Sequence, residues 1–452
     1  MANTLLAFFV FWGIWIVVPL LVDGLSALTL FVGVVWARLT GRLTPPPLVQ
    51  EFPPRVSLII PVLNGEKTLA TCLASLRFQT YPHEHLEVFV VDNGSTDGTF
   101  AIFQQAQAQS FGGQLHWIST PFRGKPWALN AGIHLTSGKY LINIDADVVL
   151  AADAISRMVA AFEADPHLSA ATGGVEVLSA LPEEGRLAYL IGECEFQEYL
   201  AAFWMGRQYQ SLTQSLYTLA GAFSAFRRDV LLQTFLYDKL TVSEDTKLTL
   251  DIYKHVPGAR IVCVPQAVAY VTPTPSLASL YAQRVRWQRG QLEVVALYPE
   301  RINFNLLQLR GLALSRLMMV DHTLIFPRLI WTFLFPLMTA FGYPLNLVVS
   351  ATLFMYVFYV GINALTALST YMIAGDVERE RLRANWWIVP LLPAYRFLIF
   401  VFRLAGSLVA LAEPAEWRVV DPVTETRRAS QKLLARAREV VQNYRRGDAP
   451  KG

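Results

Sequence analysis

The sequence predicts an α/β protein: a doubly wound parallel sheet with apolar helices before and after it. Three observations predict this. Short apolar runs alternate with helix-like stretches between residues 56 and 163, the pattern of successive βαβ units. The segment Lys139-Tyr-Leu-Ile-Asn-Ile-Asp145-Ala-Asp147 is an apolar run that ends in two carboxylates. A buried strand delivering Asp-x-Asp at its C-terminal tip can hold a divalent cation at the mouth of such a sheet. Finally, apolar residues make up 53% of the 452 and gather at Leu5–Val35, Leu317–Ala374 and Trp386–Ala412. The chain therefore divides into a soluble middle and membrane-type flanks.

The soluble part follows a stiff linker, Pro45-Pro-Pro47 and Pro53-Pro54. Strands are expected at Val56–Pro61, Leu86–Asp92, His116–Ile118 and Tyr140–Asp145, because β-branched and apolar runs there stop at turn-forming residues. Helices are expected at Thr68–Phe78, Asp97–Gln109, Lys125–Leu135 and Ala152–Glu163, the second opened by Ser95-Thr-Asp-Gly98. Pro61-Val-Leu-Asn64, Asp92-Asn-Gly-Ser95 and Asp145-Ala-Asp147 then all fall at carboxyl ends of strands, where open α/β sheets bind ligands.

Leu5–Val35 is apolar apart from Asp23. It is long for one straight crossing of roughly 20 residues, so one kinked crossing is expected, with a short hairpin as the rival. Arg38 and Arg42 follow it and no basic residue precedes it, which puts the soluble domain in the cytoplasm. Two further crossings, about Met318–Phe341 and Leu347–Ile373, return the chain to Arg379, Arg381 and Arg383. Trp386–Ala412 carries Arg396, Arg403, Pro390 and Pro393 and is expected to be re-entrant or to lie in the interface. Net charge is only +3, and the basic surplus near the apolar segments suits an anionic lipid surface better than nucleic acid. Cys72, Cys194 and Cys263 form no CxxC pair and no zinc spacing, so they read as reduced thiols. No HxxxH pattern and no GxxxxGK[ST] loop occurs, which disfavours a metallohydrolase and a P-loop enzyme.

Val56-Ser-Leu-Ile-Ile-Pro-Val-Leu-Asn64, Val90-Val-Asp-Asn-Gly-Ser-Thr-Asp-Gly98 and the Asp145–Asp147 pair resemble the nucleotide-sugar core of family-2 inverting glycosyltransferases. Ser243-Glu-Asp245 and Gln283-Arg-Val-Arg-Trp287 resemble the later motifs of the membrane-embedded, processive branch, which includes poly-N-acetylglucosamine, hyaluronan and cellulose synthases. The resemblance covers residues 55–295, with five motifs in order. Asn93 stands where many members have a second Asp, and Ser243 where Thr is common. The fold implied is a GT-A-like, nucleotide-sugar-binding domain in the cytoplasm joined to a bundle of transmembrane and interface helices. The division expected is an N-terminal membrane segment at 1–44, the transferase domain with its QxxRW interface helix at 45–300, membrane helices at 301–412 and a basic tail at 413–452.

The same resemblance implies the roles. Asp92 hydrogen-bonds the uracil of a UDP-sugar; a turn-forming Asp is the plainer alternative. Pro61, Asn64 and Glu66 lie near the nucleotide, although Glu66 also suits a helix first turn. Lys125, opening a helix, meets the diphosphate. Asp147 holds Mg²⁺ or Mn²⁺, with Asp145 assisting or touching ribose. Asp245 is the catalytic base that takes the acceptor hydroxyl proton, and Glu244 can share the task. Gln283, Arg286 and Trp287 share one helix face; Gln283 and Arg286 serve the donor, and Trp287 offers a platform to the acceptor sugar. Gly221 and Ser224, in the run 218–228, resemble an acceptor-floor loop. The implied activity is transfer of a sugar, UDP-GlcNAc being the expected donor, to a β-linked polymer exported across a bacterial-type inner membrane, with a partner subunit conceivable for so few spans. Transfer of one sugar to a lipid is the alternative, and a non-catalytic scaffold the least favoured.

Overall fold

A computed structural model describes residues 20–48, 52–109, 112–180, 185–239, 241–299, 337–413 and 422–446. Eight strands run β1 (Val56–Val62), β2 (Leu86–Asp92), β3 (Gln114–Ser119), β4 (Tyr140–Ile144), β5 (Val149–Leu150), β6 (Leu168–Val177), β7 (Phe223–Arg227) and β8 (Arg260–Val271). The helices are α1 (Leu25–Leu39), α2 (Leu69–Arg77), α3 (Thr99–Ala108), α4 (Lys125–Leu135), α5 (Ala154–Ala164), α6 (Gly185–Leu200), α7 (Gln208–Leu212), α8 (Arg228–Leu231), α9 (Glu244–His255), α10 (Leu277–Leu297), α11 (Leu345–Ile373), α12 (Asp376–Ala384), α13 (Leu392–Ala412) and α14 (Pro422–Arg446). The expected strands and helices of residues 56–163 are all present, their ends within a few residues of expectation.

One sheet joins the strands in the order β3-β2-β1-β4-β7-β6-β8-β5. Neighbours among β3, β2, β1 and β4 are parallel, as the βαβ pattern requires. Period-2 alternation sends Leu58 and Ile60 of β1 to one face with Leu73 of α2, Phe103 of α3 and Met158 of α5. Ile59 faces the other way, with Leu129 of α4 and Ile252 of α9, so helices cover both sides. The expectation of a parallel sheet ends at β4. β7 is antiparallel to both β4 and β6. Its start is fixed at the carboxyl end of β4, where the Asp145 amide donates to the Ala222 carbonyl at 3.1 Å, so β7 has to run back along the sheet.

α11 and the stretch Trp386–Ala412 are long and apolar enough to cross a membrane, by length and composition. α1, with the helical turn Leu20–Gly24 that leads into it, packs beside α11: Tyr359 donates to Asp23 at 2.9 Å, and Arg38 donates to the Met372 carbonyl. Those two contacts rise together along both helices, so α1 and α11 run parallel and finish at the same level. Most of Met318–Phe341 and the first half of Leu5–Val35 fall outside the described residues. Trp386–Ala412 begins as a 3₁₀ turn over Trp386–Leu391 and continues as α13. Ile388, Leu392, Tyr395 and Ile399 pack there against Ile191 and Cys194 of α6 and Leu280 of α10.

α12 fastens the end of α11 to the sheet domain. Arg381 donates to the Val177 carbonyl at 2.6 Å and to Glu193 at 2.7 Å, and Asn385 donates to Glu193 at 2.9 Å. Glu378 is buried against Glu176 of β6, which also accepts from Trp204 at 3.3 Å. Burial, then the neighbouring Glu378 carboxylate, push the Glu176 carboxyl up to about 8 against the pull of Trp204 and Arg381; Tyr270 of β8 faces the same pair. The folded protein thus keeps a proton that an unfolded glutamate loses near 4.5. This contribution to stability is full below that value and is lost as pH rises toward 8. Glu176→Gln is neutral at every pH and is expected to flatten the fall in melting temperature between pH of about 5 and about 9. Melting curves of both proteins across that range check it; parallel pH profiles would contradict it.

Candidate active site

The site is built where loops leave the carboxyl ends of β1, β2 and β4. Asp92 is in register with Val62 of β1, and Asn143 of β4 with Ile59. Asp145 and Asp147 therefore come level with the end of β1 and stand about 10 Å from Asp92, two strand spacings away. The loops are stitched together. Asn64, at φ 53°, accepts from the Thr96 amide at 2.9 Å, and its own amide donates to Ser95 at 2.9 Å. Glu66 accepts from the Gly98 amide at 3.3 Å and is exposed. The Asp92 carboxylate accepts from the Ser95 amide at 3.0 Å, as a turn-forming Asp does, and is half-buried. Pro61 ends the strand beside them, also half-buried.

Lys125 stands among the carboxylates. Its Nζ is 2.5 Å from Asp145 and 3.6 Å from Glu244. α4 aims it there because the Gly124 amide donates to the buried Asn93 side chain at 3.0 Å, tying the helix start to the end of β2. Gly124 has φ 126°, a conformation that only glycine adopts cheaply. Burial works against the Lys125 charge, but Asp145 and Glu244 outweigh it and hold the ammonium well above the ordinary lysine range. Asp147 is raised by burial, then by Asp145, while Lys125 and Arg286 oppose the rise. Glu244 is raised by burial as well, with Lys125 opposing and Asp245 adding to the rise.

Asp245 opens α9. Its Oδ2 accepts from the Gly221 amide at 3.1 Å and its Oδ1 from the Thr246 amide at 2.7 Å. α10 presses on this corner at Gly290, where any side chain would collide with Ser243 Oγ at 2.0 Å. The Glu293 side chain accepts from the Val242 amide at 3.3 Å. On α10, Arg286 is exposed and Gln283 and Trp287 are half-buried, whereas Arg284, Val285, Gln288 and Arg289 are buried on the opposite side. The expected face is therefore present. Gln283 Oε1 has no hydrogen-bond partner among the described residues.

The structure thus gathers Lys125, Asp145, Asp147, Gly221, Glu244, Asp245 and Arg286 at one place, with Asp92, Asn64 and Pro61 along the same rim. Glu66 sits where its carboxylate accepts from Gly98 at the start of α3. Ser224 is not at the surface of this loop: it is 2% exposed and donates to the Ala220 carbonyl at 2.5 Å, which braces the Gly221 turn from beneath. Sequence reasoning missed Arg284. Its guanidinium forks onto Glu198 at 3.0 and 2.8 Å, reaches Tyr395 of α13 at 3.3 Å and stacks on Trp287 at 4.6 Å. The motif holds two arginines, and only the packing on α6 shows which one turns inward. Asn93 and Asn130 also brace the site: Asn93 holds the start of α4, and Asn130 holds the Tyr237 backbone through two hydrogen bonds, at 2.8 and 3.0 Å.

Among the described residues no three acidic, His or Cys side chains cluster closely enough to hold a metal by themselves. Asp145 and Asp147 supply two hard oxygen donors in a crowded acidic pocket. That set fits Mg²⁺ or Mn²⁺, which take one or two carboxylates and complete their shell with phosphate oxygens and water.

Residues 57–235 match the model of Glycosyl transferase family 2. This part of the chain is a family-2 glycosyltransferase domain. Poly-beta-1,6-N-acetyl-D-glucosamine synthases are similar to it: that of Staphylococcus epidermidis is 27% identical over 241 residues, 53% of this chain and 55% of that protein, and that of Staphylococcus aureus strain COL is 26% identical over 243 residues with the same coverage. The chain spans about half the length of these curated relatives. A mannosyltransferase from Pyrobaculum calidifontis, solved with GDP-Man and Mn²⁺, superposes with a TM-score of 0.50 at 19% identity over 86% of this chain and 98% of its own. That likeness concerns the fold, a mixed, curled α/β sheet of the GT-A kind.

Lys125→Met is expected to destabilise the metal-free protein by about 1–3 kcal/mol, the cost of leaving charged partners unsatisfied, and to make added Mn²⁺ raise its melting temperature more than that of the wild type. Thermal melts with and without Mn²⁺ check this; identical melts for both proteins would contradict it.

Proposed function

We propose that the protein is an inverting hexosyltransferase that moves a sugar from a UDP-sugar to a growing β-linked polysaccharide at the cytoplasmic face of a bacterial-type membrane, coupled to export. The observation that carries this reading is the juxtaposition of Asp245, held by the Gly221 amide at 3.1 Å, with Lys125 and the Asp145 carboxylate at 2.5 Å. A base and a diphosphate-binding cation then stand together beside Gly221. The names of the curated relatives support UDP-GlcNAc as donor.

In this reading Asp92, with the strand-end backbone from Pro61 to Asn64, receives the uracil and ribose. Lys125 and Arg286 approach the diphosphate, and Gln283 offers its amide beside them. Asp147, with Asp145, would hold Mg²⁺ or Mn²⁺, which when bound neutralises charge on the UDP leaving group. The acceptor hydroxyl lies on Trp287 near Gly221. Its oxygen bonds to the anomeric carbon as the bond from that carbon to the phosphate oxygen breaks, and its proton passes to Asp245. UDP leaves with the electron pair, and the anomeric configuration inverts. Glu244 keeps its proton more readily than an ordinary glutamate, so Asp245 is the better placed of the two to take the acceptor's proton.

Residues 45–300 form the cytoplasmic transferase in this account, and the helices at 1–44 and 301–412 anchor it. The parallel course of α1 and α11 supports the orientation, since both end beside the transferase domain. The packing of α13 along α10 supports an interface position for Trp386–Ala412. The basic tail at 413–452 stays on the same side: Glu425 of α14 pairs with Arg289 of α10 at 2.5 Å.

Asp245→Asn is expected to lower turnover by about 10²–10⁴-fold while leaving UDP affinity nearly unchanged. Release of UDP from UDP-GlcNAc and titration with UDP measure the two quantities. Turnover retained in this variant would refute the assigned base.

A further inference from the structure

Where α1 and α11 finish side by side, Arg38, Arg379 and Arg383 surround a cavity of about 620 Å³ that is also lined by Tyr371, Met372, Asp376 and Glu380. Arg38 and Arg379 cap the last carbonyls of α11: Arg38 donates to Met372, and Arg379 donates to Tyr371 at 3.0 Å. Arg379 also meets Asp376 at 3.1 Å, a carboxylate whose side chain is 98% exposed and therefore largely solvated. Arg383 lies over the Tyr371 ring at 5.1 Å. Among the described residues neither Arg38 nor Arg383 has a carboxylate partner. Capping one helix end accounts for two of these guanidiniums; it does not account for Arg383, nor for the open volume between them.

Apolar side chains close in sequence to these arginines are exposed on the surface. Leu39 is 81% exposed, Val377 73% and Trp36 51%, and Arg42 rests on the Trp36 ring at 4.4 Å. Trp and Arg at the end of an apolar helix suit the headgroup depth of a bilayer. Convergent arginines beside exposed apolar side chains match a ligand with a phosphate at one end and acyl chains at the other. A free phosphate would leave these exposed apolar side chains without a use.

We propose that this cavity is a binding site for the headgroup of an anionic phospholipid of the leaflet facing the transferase domain, with Arg38, Arg379 and Arg383 on the phosphate; the proposal rests on the reading of α1 and α11 as membrane-spanning. α12 contributes Arg379 and Arg383 to the cavity and, from its other face, Glu378 and Arg381 to the sheet domain. An occupied site therefore clamps the helix that joins membrane to enzyme.

The test uses the purified full chain in a non-ionic detergent, with dihexanoyl phosphatidylglycerol, dihexanoyl phosphatidylcholine and inorganic phosphate as probes, read by tryptophan fluorescence and by melting temperature. Phosphatidylglycerol is expected to bind well ahead of the other two and to raise the melting temperature. Arg383→Gln, an exposed side chain whose loss leaves the fold intact, should weaken it roughly fivefold, and Arg38→Gln with Arg383→Gln roughly twentyfold. The paired tail variant Arg427→Gln with Arg428→Gln should bind as the wild type does. Equal binding of phosphatidylcholine or of phosphate, or equal losses in the tail variant, would overturn the site. Carbonate washing of membranes separates the two levels. A chain that stays in the membrane but fails these comparisons refutes the lipid site alone, while a chain that washes off refutes the membrane reading and the site with it.

Discussion

Asp145, Asp147, Glu244 and Asp245 repel one another at the mouth of the sheet, and Lys125 is the cation that lets them share it. The ammonium is 2.5 Å from Asp145 and 3.6 Å from Glu244, and it can be there only because Asn93 and Gly124 fix the start of α4 at the end of β2. The remaining geometry serves the same meeting. β7 turns back along β4 so that Gly221 and Ala222 lie beside Asp145. α10 reaches the start of α9 at a glycine, where the carboxylate of Asp245 lies against Gly221 beside Lys125. On the proposed function, such a cluster of acids with Lys125 as its close counter-charge can exchange part of that neutralisation for an incoming metal–diphosphate, which brings both signs of charge at once.

The second constraint is mechanical. Besides apolar packing, the transferase domain touches its apolar helices through charged and polar groups buried between them. Arg284 joins α10 to Glu198 of α6 and to Tyr395 of α13; Arg381 and Asn385 join α12 to Glu193. Buried ion pairs of this kind contribute little net stability when well made and cost several kcal/mol when one partner is lost. Their value here is positional: they set how the helix bearing Gln283, Arg286 and Trp287 lies against the sheet.

Much of this was legible in the sequence because the signals were local. Alternating apolar runs that stop at Asn64, Asp92 and Asp145 mark strand ends, and strand ends of an α/β sheet mark the ligand mouth. The helix Lys125–Leu135 begins and ends where Gly124 and Thr136 suggest. What escaped was set by tertiary contact. The reversal of β7 depends on where a loop lands over the sheet, which no periodicity records. Arg284 and Arg286 are two residues apart in an otherwise similar run, and only packing on α6 turns one inward. Ser224 is a small polar residue in a small-residue loop, equally suited to face a glycan or to brace the turn, and its hydroxyl is spent on Ala220. Glu66 likewise has its carboxylate engaged at a helix start.

The most direct measurement is Mn²⁺ binding followed by electron paramagnetic resonance in the presence and absence of UDP. If the carboxylates at the end of β4 form the metal–diphosphate pocket, the wild type will show a single Mn²⁺ site that tightens when UDP is added, and Asp147→Asn will lose that UDP-dependent tightening while melting like the wild type. UDP-dependent Mn²⁺ binding that survives Asp147→Asn unchanged would contradict the account.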